Sequence, residues 1–215
     1  MECCQCEGIE TRFDQKYVTK KLKRYLEKGP KESTRLLIEI LTETLDNEMT
    51  LLDIGGGIGD IQHALLDEGV KESINCEASP AFIEVCKQEA ERRGNANRIT
   101  HLKGDFIDNV DSIPAADIVT LDRVICCYHD MPDLVLKSLT KARKLYGIVI
   151  PIDKWWMKLW ISIYYNLRFM IQQNPFRVFI HPTKSVEMLI LNNGFRNIFS
   201  QVKGTWQISV YEKTE

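Results

Sequence analysis

The run Leu51-Leu52-Asp53-Ile54-Gly55-Gly56-Gly57-Ile58-Gly59-Asp60 constrains this chain more than any other stretch. An apolar segment of strand length passes through three glycines at alternate positions into a segment with helix periodicity. Glycines there supply a tight turn and remove the Cβ atoms that would keep backbone away from a ligand. Open α/β sheets bind ligands at the carboxyl ends of their strands. The spacing D-x-G-x-G-x-G differs from G-x-G-x-x-G, which sets a pyrophosphate on a helix N-terminus. The turn therefore favours a nucleoside without phosphates.

The rest of the chain alternates in the same style. Helices are predicted over residues 14–27 and 34–45, the second capped by Ser33, and then over 60–68, 80–93, 131–144 and 184–192. Strands are predicted over residues 50–54, 72–76, 99–103, 117–121, 147–152, 195–202 and 207–211, the last two joined by Lys203-Gly204-Thr205. Strands separated by helices imply a parallel sheet with helices on both faces. The expected fold is α/β: a doubly wound, mostly parallel seven-stranded sheet with an antiparallel C-terminal hairpin. One domain is expected over residues 1–215, with N-terminal helices over 14–45 and a lid insertion over 153–181 that the sheet does not need, the two together covering the carboxyl ends of the strands.

Acidic residues stand at successive strand ends. Glu77 follows the second strand, where a carboxylate can accept both ribose hydroxyls. Gly104-Asp105-Phe106 follows the third, offering an acceptor for an adenine amino group and a ring to cover the base. Taken singly, each of these residues suits a turn or a cap equally well.

In this order they resemble the class I S-adenosylmethionine-dependent methyltransferases, over about residues 13–212. Asp53, Gly55, Gly57 and Gly59 match that family's first motif. The resemblance implies a Rossmann-like methyltransferase fold, S-adenosylmethionine as cofactor and S-adenosylhomocysteine as product. It also implies cofactor contacts from those four residues and from Glu77 (ribose), Asp105 with Phe106 (adenine) and Asp122. Residues 121–129, 175–182 and 206–212 look like the branch around magnesium-protoporphyrin O-methyltransferase. The chain departs from that branch at Cys127, where the branch carries His, and at Arg12, where it carries Tyr.

Methyl transfer from a sulfonium demands alignment and desolvation more than activation. A carboxylate acceptor needs no base, whereas a phenol, alcohol or amine needs a proton acceptor within hydrogen-bond reach. The loop after the fourth strand faces the methyl group in this fold, so Arg123, Tyr128 and His129 are catalytic candidates with His181 from the end of the insertion. His129 is the leading base by position and by its ordinary pKa, or else an exposed neighbour of a helix cap. His181 closes over the acceptor or is simply packed. Arg123 clamps an anionic acceptor, or pairs with Asp122 or Asp130. The expected activity is O-methylation of a small molecule. Two other readings compete: a thiol-assisted, arsenite-like metalloid methyltransferase using Cys3, Cys4, Cys6, Cys126 and Cys127, and a module that binds S-adenosylmethionine without catalysis.

Residues 155–171 carry three tryptophans and two tyrosines beside a narrow polar stripe of Lys158, Ser162 and Asn166. The segment reads as a cap over the acceptor, a homodimer contact, or a helix lying in a membrane surface. It is too interrupted to span a bilayer. Lys+Arg total 28 against 30 Asp+Glu, a net charge of −2, so there is no global field for nucleic acid. The basic helix with Lys16, Lys20, Lys21, Lys23, Arg24 and Lys28 is read as a solvated face. Seven cysteines and no apolar leader fit a reducing cytoplasm. No structural metal is expected.

Overall fold

A computed structural model describes residues 4–46 and 48–214, without the side chains of residues 4–7 and Ser162. Cys3 and the side chains of Cys4 and Cys6 therefore lie outside the described residues. The order of elements is α1 (Cys4–Arg12), α2 (Gln15–Lys28), α3 (Glu32–Glu43), β1 (Thr50–Ile54), α4 (Asp60–Asp67), β2 (Glu72–Glu77), α5 (Pro80–Arg93), β3 (Ile99–Lys103), α6 (Phe106–Asn109), β4 (Ala116–Asp122), α7 (Met131–Thr140) and β5 (Ala142–Pro151). Next comes α8 (Trp155–Trp160), continued by a π turn (Ile161–Asn166) into α9 (Leu167–Ile171), and finally α10 (Thr183–Asn192), β6 (Phe195–Lys203) and β7 (Trp206–Lys213).

The seven strands form one sheet in the order β3-β2-β1-β4-β5-β7-β6. The first five run parallel, β7 pairs antiparallel with both β5 and β6, and the direction in which successive strands are added across the sheet switches between β1 and β4. This is the expected doubly wound sheet with its C-terminal hairpin. The switch leaves a crevice at the carboxyl ends of β1 and β4, where such sheets hold ligands. Two apolar layers flank the sheet. One joins Leu52, Val119, Leu134, Tyr146, Val186 and Tyr211, and the other joins Leu37, Leu41, Leu51, Leu65, Val149 and Ile208.

The largest departures from expectation are the following. The helix predicted to Lys144 stops at Thr140, because Ala142 already pairs with Ala116 in the sheet. Ser33 is not a cap: Lys31 occupies that position, and Ser33 is buried in the first turn of α3. α1 and the short α6 were not predicted.

A polar cluster lies behind the glycine turn. Gln62 and His63 of α4 are fully buried, Gln62 Nε2 donates to Cys86 Sγ at 2.9 Å, and Ser73 Oγ donates to Gln62 Oε1. Burial pulls His63 down from 6.5 to about 4. A histidine held neutral this way contributes stability above its unfolded pKa, and that contribution is lost as pH falls from 6.5 toward 4. The shift corresponds to about 3 kcal/mol. The advantage of the wild type over His63→Gln in denaturant unfolding should shrink by up to that amount between pH 7 and pH 4. A constant difference would assign the acid sensitivity to other groups.

Candidate active site

β1 delivers its chain to the glycine turn from a fully buried layer. Gly57 adopts φ +61°, and a Cβ on it would stand 3.0 Å from Lys21 Nζ and 3.9 Å from the Phe82 ring. Gly56 matters for a different reason. A Cβ there would stand 2.6 Å from Asp53 Oδ2 and 2.8 Å from Asn75 Oδ1, so the turn packs directly onto the polar ends of β1 and β2. The spacing D-x-G-x-G-x-G leaves this middle position open, and sequence reasoning missed it.

The predicted acids converge on the turn. Asp53 is buried, accepts from Thr120 Oγ1 at 2.7 Å through Oδ1, and leaves Oδ2 without a hydrogen bond. Desolvation pushes its carboxyl up to about 7. Glu77 is also buried; Oε2 accepts from Gly57 N at 2.9 Å and Oε1 from Ser79 N at 2.8 Å. Desolvation raises its pKa, opposed by these backbone donors and by Lys21. Asp105 caps α6 through Ile107 N at 2.8 Å and takes a hydrogen bond from the Tyr128 hydroxyl. Phe106 lines the cleft but is only 2% exposed and belongs to the core layer beneath, so its ring is core packing first and base cover at most by its edge.

The loop after β4 corrects several expectations. Asp122 accepts from Thr34 Oγ1 at 2.7 Å, and its other oxygen has no hydrogen bond. Arg123 donates through Nη2 to Ser33 and Thr34, lies 3.7 Å from Asp122, and stacks on Trp206 at 4.8 Å. Those contacts fasten α3 and β7 to the loop, while Arg123 itself still lines the cleft and keeps its Nε without a hydrogen bond. His129 is exposed at the start of α7 and is not among the residues lining the cleft, so it stands apart from the place where a base is needed. His181 Nε2 lies 2.7 Å from the Tyr128 carbonyl oxygen, which makes that nitrogen a donor. The ring stacks on Phe179 and its pKa is lowered by burial. It ties the end of the insertion to the loop instead of serving the cleft. Tyr128 does line the cleft.

Of the thiols singled out, only Cys126 and Cys127 have described side chains, Cys126 buried and Cys127 at the side of the cleft. Cys126 and Cys127 both donate to the Arg123 carbonyl, at 3.3 and 3.6 Å. Cys127 is pushed well above its ordinary pKa by its hydrogen bond with Cys126 and by burial, which disfavours the thiolate a metalloid would need. Among the described residues no group of three or more His, Cys, Asp or Glu is placed to hold a metal. Cys126→Ala/Cys127→Ala should lower stability by about 1–3 kcal/mol through small cavities and leave affinity for S-adenosylhomocysteine unchanged in calorimetry.

The cleft itself has a volume of about 210 Å³. Asp53, Glu77, Asp105, Asp122 and the glycine turn form its floor, and Val124, Cys127 and Tyr128 form one side. Its other side comes from the N-terminal segment, which was expected to cover the strand ends, though not through these particular residues. Ile9 of α1, Phe13, and Tyr17 and Lys21 of α2 line it there, together with Lys31 and Asp60. Phe13 packs on Tyr17, Phe82 and Phe176 at 5.4, 5.4 and 5.7 Å. Tyr17 and Lys21 were the available signal: Lys21 was among the basic residues read as a solvated face, and the i, i+4 spacing puts an aromatic and a cation together on one side. Burial and the neighbouring Arg123 and Lys21 bring Lys31 down to about 8. Asp60 is raised by desolvation, and its Oδ1 is without a hydrogen bond.

A family model described as an O-methyltransferase domain matches residues 5–157. Bacteriochlorophyllide d C-20 methyltransferase of Chlorobaculum tepidum is 29% identical over 139 residues, covering 63% of this chain and 40% of that protein. A ribosomal protein L11 methyltransferase of Clostridium botulinum is 28% identical over 114 residues, covering 53% of this chain and 36% of that protein. The chain thus spans well under half the length of these curated relatives. Among solved structures, magnesium protoporphyrin IX methyltransferase from Synechocystis PCC 6803 with bound S-adenosylhomocysteine superposes with TM-score 0.71 at 14% identity, covering 96% of this chain and 98% of that one. An O-methyltransferase family protein from Burkholderia thailandensis gives TM-score 0.72 at 13% identity over 98% of this chain and 64% of that one.

Proposed function

Because the chain belongs to the O-methyltransferase domain family, we propose that it moves a methyl group from S-adenosylmethionine to an oxygen of a small, largely apolar acceptor. The observation that carries this reading is Glu77, a buried carboxylate at the end of β2 joined across the glycine turn to Gly57 N. A carboxylate has about four acceptor sites. The backbone donors Gly57, Ser79 and Ala78 take up part of that capacity, and what remains is offered to the ribose hydroxyls.

The surrounding residues fit the rest of the cofactor. A Cβ at Gly57 would project into the cleft, so the turn is a cradle that only glycine leaves open. Asp53, Asp60 and Asp122 line the cleft and each present an oxygen without a hydrogen bond, and these suit the cationic ends of a sulfonium amino acid. Asp105 would take the adenine amino group. S-adenosylmethionine supplies a methyl group already activated for displacement.

The protein's own share is orientation and exclusion of water. Ile9, Phe13 and Tyr17 face Cys127 and Tyr128 across the mouth, a lining suited to a flat apolar body. The described lining contains no imidazole. This favours an acceptor oxygen that is already anionic, a carboxylate, with Lys21 and Lys31 offsetting its charge. The acceptor oxygen bonds to the methyl carbon as the carbon–sulfur bond breaks, and sulfur keeps the bonding pair.

Calorimetry with S-adenosylhomocysteine should show binding that Glu77→Ala weakens by about 1–3 kcal/mol, the worth of charge-assisted hydrogen bonds. Unchanged affinity would remove Glu77 from the ribose site. Methyl-labelled S-adenosylmethionine incubated with a metabolite extract should yield an alkali-labile methyl ester. Label on nitrogen or arsenic would overturn the oxygen assignment.

A further inference from the structure

From Lys154 through Val186 the chain contains no Asp or Glu, while it carries Lys154, Lys158, Arg168, Arg177 and Lys184 in a protein of net charge −2. The same segment holds the largest concentration of exposed apolar side chains. Trp155, Trp156, Leu159, Trp160, Ile163, Tyr164, Leu167, Met170 and Ile171 are all exposed, with Trp155 at 77% and Ile171 at 75%. They recur at steps of four. Such steps outrun the ~3.6 residues per turn of an α-helix and would spiral around it. The π turn at Ile161–Asn166 has more residues per turn and takes up the excess, so the row stays on one side from α8 to α9.

The opposite side is anchored. Met157, Ile161 and Phe169 are buried, and Phe169 packs edge-on against Phe176 at 5.5 Å. Asn166 pairs with Val178 through both its amide nitrogen and its amide oxygen, each at 2.9 Å. The outward row is therefore held in place by its own scaffold. Lys154, Lys158 and Arg168 are exposed beside it and form no ion pair among the described residues.

We propose that the α8–α9 face docks on an anionic lipid bilayer surface, lying in the interface plane with its tryptophans and aliphatic side chains among the headgroups and Lys154, Lys158 and Arg168 against lipid phosphates. Charge selects this occupant: a second copy would bring the same cations against each other, whereas an anionic surface complements them. Tryptophan and tyrosine are the side chains that settle at such a boundary. No helix among the described residues is long and apolar enough to cross a membrane, so the contact is peripheral.

Co-sedimentation with vesicles tests this without any methyl transfer. The full chain should pellet with phosphatidylcholine vesicles containing phosphatidylglycerol, pellet far less with phosphatidylcholine alone, and be released by raised salt. Lys154→Glu/Lys158→Glu should weaken binding roughly tenfold or more, at about one basic residue's surface attraction each. Trp155→Ser/Ile171→Ser, at two highly exposed positions, should abolish pelleting while circular dichroism stays unchanged. Folded wild type that stays in the supernatant with anionic vesicles overturns the proposal. So does a stable dimer that Trp155→Ser/Ile171→Ser dissociates, which would assign the row to a second copy.

Discussion

Gly57→Val should lower affinity for S-adenosylhomocysteine by about a hundredfold or more while thermal unfolding remains cooperative. The left-handed backbone at Gly57 (φ +61°) costs an ordinary side chain roughly 1–2 kcal/mol and a β-branched one more. Relief of that strain rotates the peptide whose N–H is bound to Glu77 Oε2. The new methyl groups also enter the cleft beside Phe82 and Lys21. Strain, loss of the Glu77 contact and filled volume all act on one ligand; they lie outside the two layers on the sheet and touch only the edge of a smaller buried cluster of Val18, Tyr25, Ile58, Phe82 and Val85. The fold should therefore survive. Gly57→Ala should give a graded loss, since it adds strain with less volume. Calorimetry that finds Gly57→Val within about threefold of wild type would show that the turn is not the cofactor cradle, whatever else the chain binds.

How much of this was legible in the sequence depended on punctuation. β1, α5 and β3 fall residue for residue where they were expected, because their ends are marked by local chemistry. Ser79 caps α5 with Pro80 in its first turn, and Gly94 ends it in the left-handed conformation. The junction of α7 and β5 carries no such mark. Lys141 closes the helix with helical backbone angles, and Arg143 and Lys144 at the strand's start are exposed, so periodicity ran on into the strand. Gly147 sits inside β5 for a tertiary reason: a Cβ there would meet Leu37 of α3 at 2.9 Å. The cofactor side of the site was readable because its residues stand at strand ends, whose direction the sheet fixes. The acceptor side was not. His181 and Arg123 lie within or beside the right loop, but which way each side chain turns is decided by Tyr128 for His181 and by Trp206 and α3 for Arg123, partners remote in sequence. α1 escaped notice because its apolar residues form no regular stripe.

Gly8→Val addresses that acceptor side, and its expected effect is the opposite of the Gly57 change: affinity for S-adenosylhomocysteine should stay within about threefold, while methyl transfer should fall by about 10²-fold. α1 lies so close to the arm after α9 that a Cβ on Gly8 would stand 2.4 Å from Phe176 N and 2.8 Å from its Cα. Backbone cannot yield as a side-chain tip does, so α1 must move away. Asn174, which reaches the Gly8 carbonyl at 3.4 Å and holds Phe176 N at 2.8 Å, would lose the first contact. Ile9 and Phe13 follow Gly8 directly in the chain and line the mouth of the cleft, so displacement of α1 shifts the wall against which the acceptor is aligned. Misplacement by about 1 Å costs roughly that factor in an alignment-limited reaction. Glu77, Asp105 and the glycine turn make none of these bonds; the link between this segment and Glu77, from Ser79 Oγ to the Phe13 carbonyl at 3.2 Å, lies beyond α1 on the side anchored by Tyr17 and Phe82, which is why cofactor affinity should hold. The labelled acceptor from the metabolite extract serves as substrate for single-turnover measurement. Equal losses in cofactor affinity and in transfer would show that α1 supports the cofactor cradle itself, and the acceptor would then have to enter by another face of the cleft.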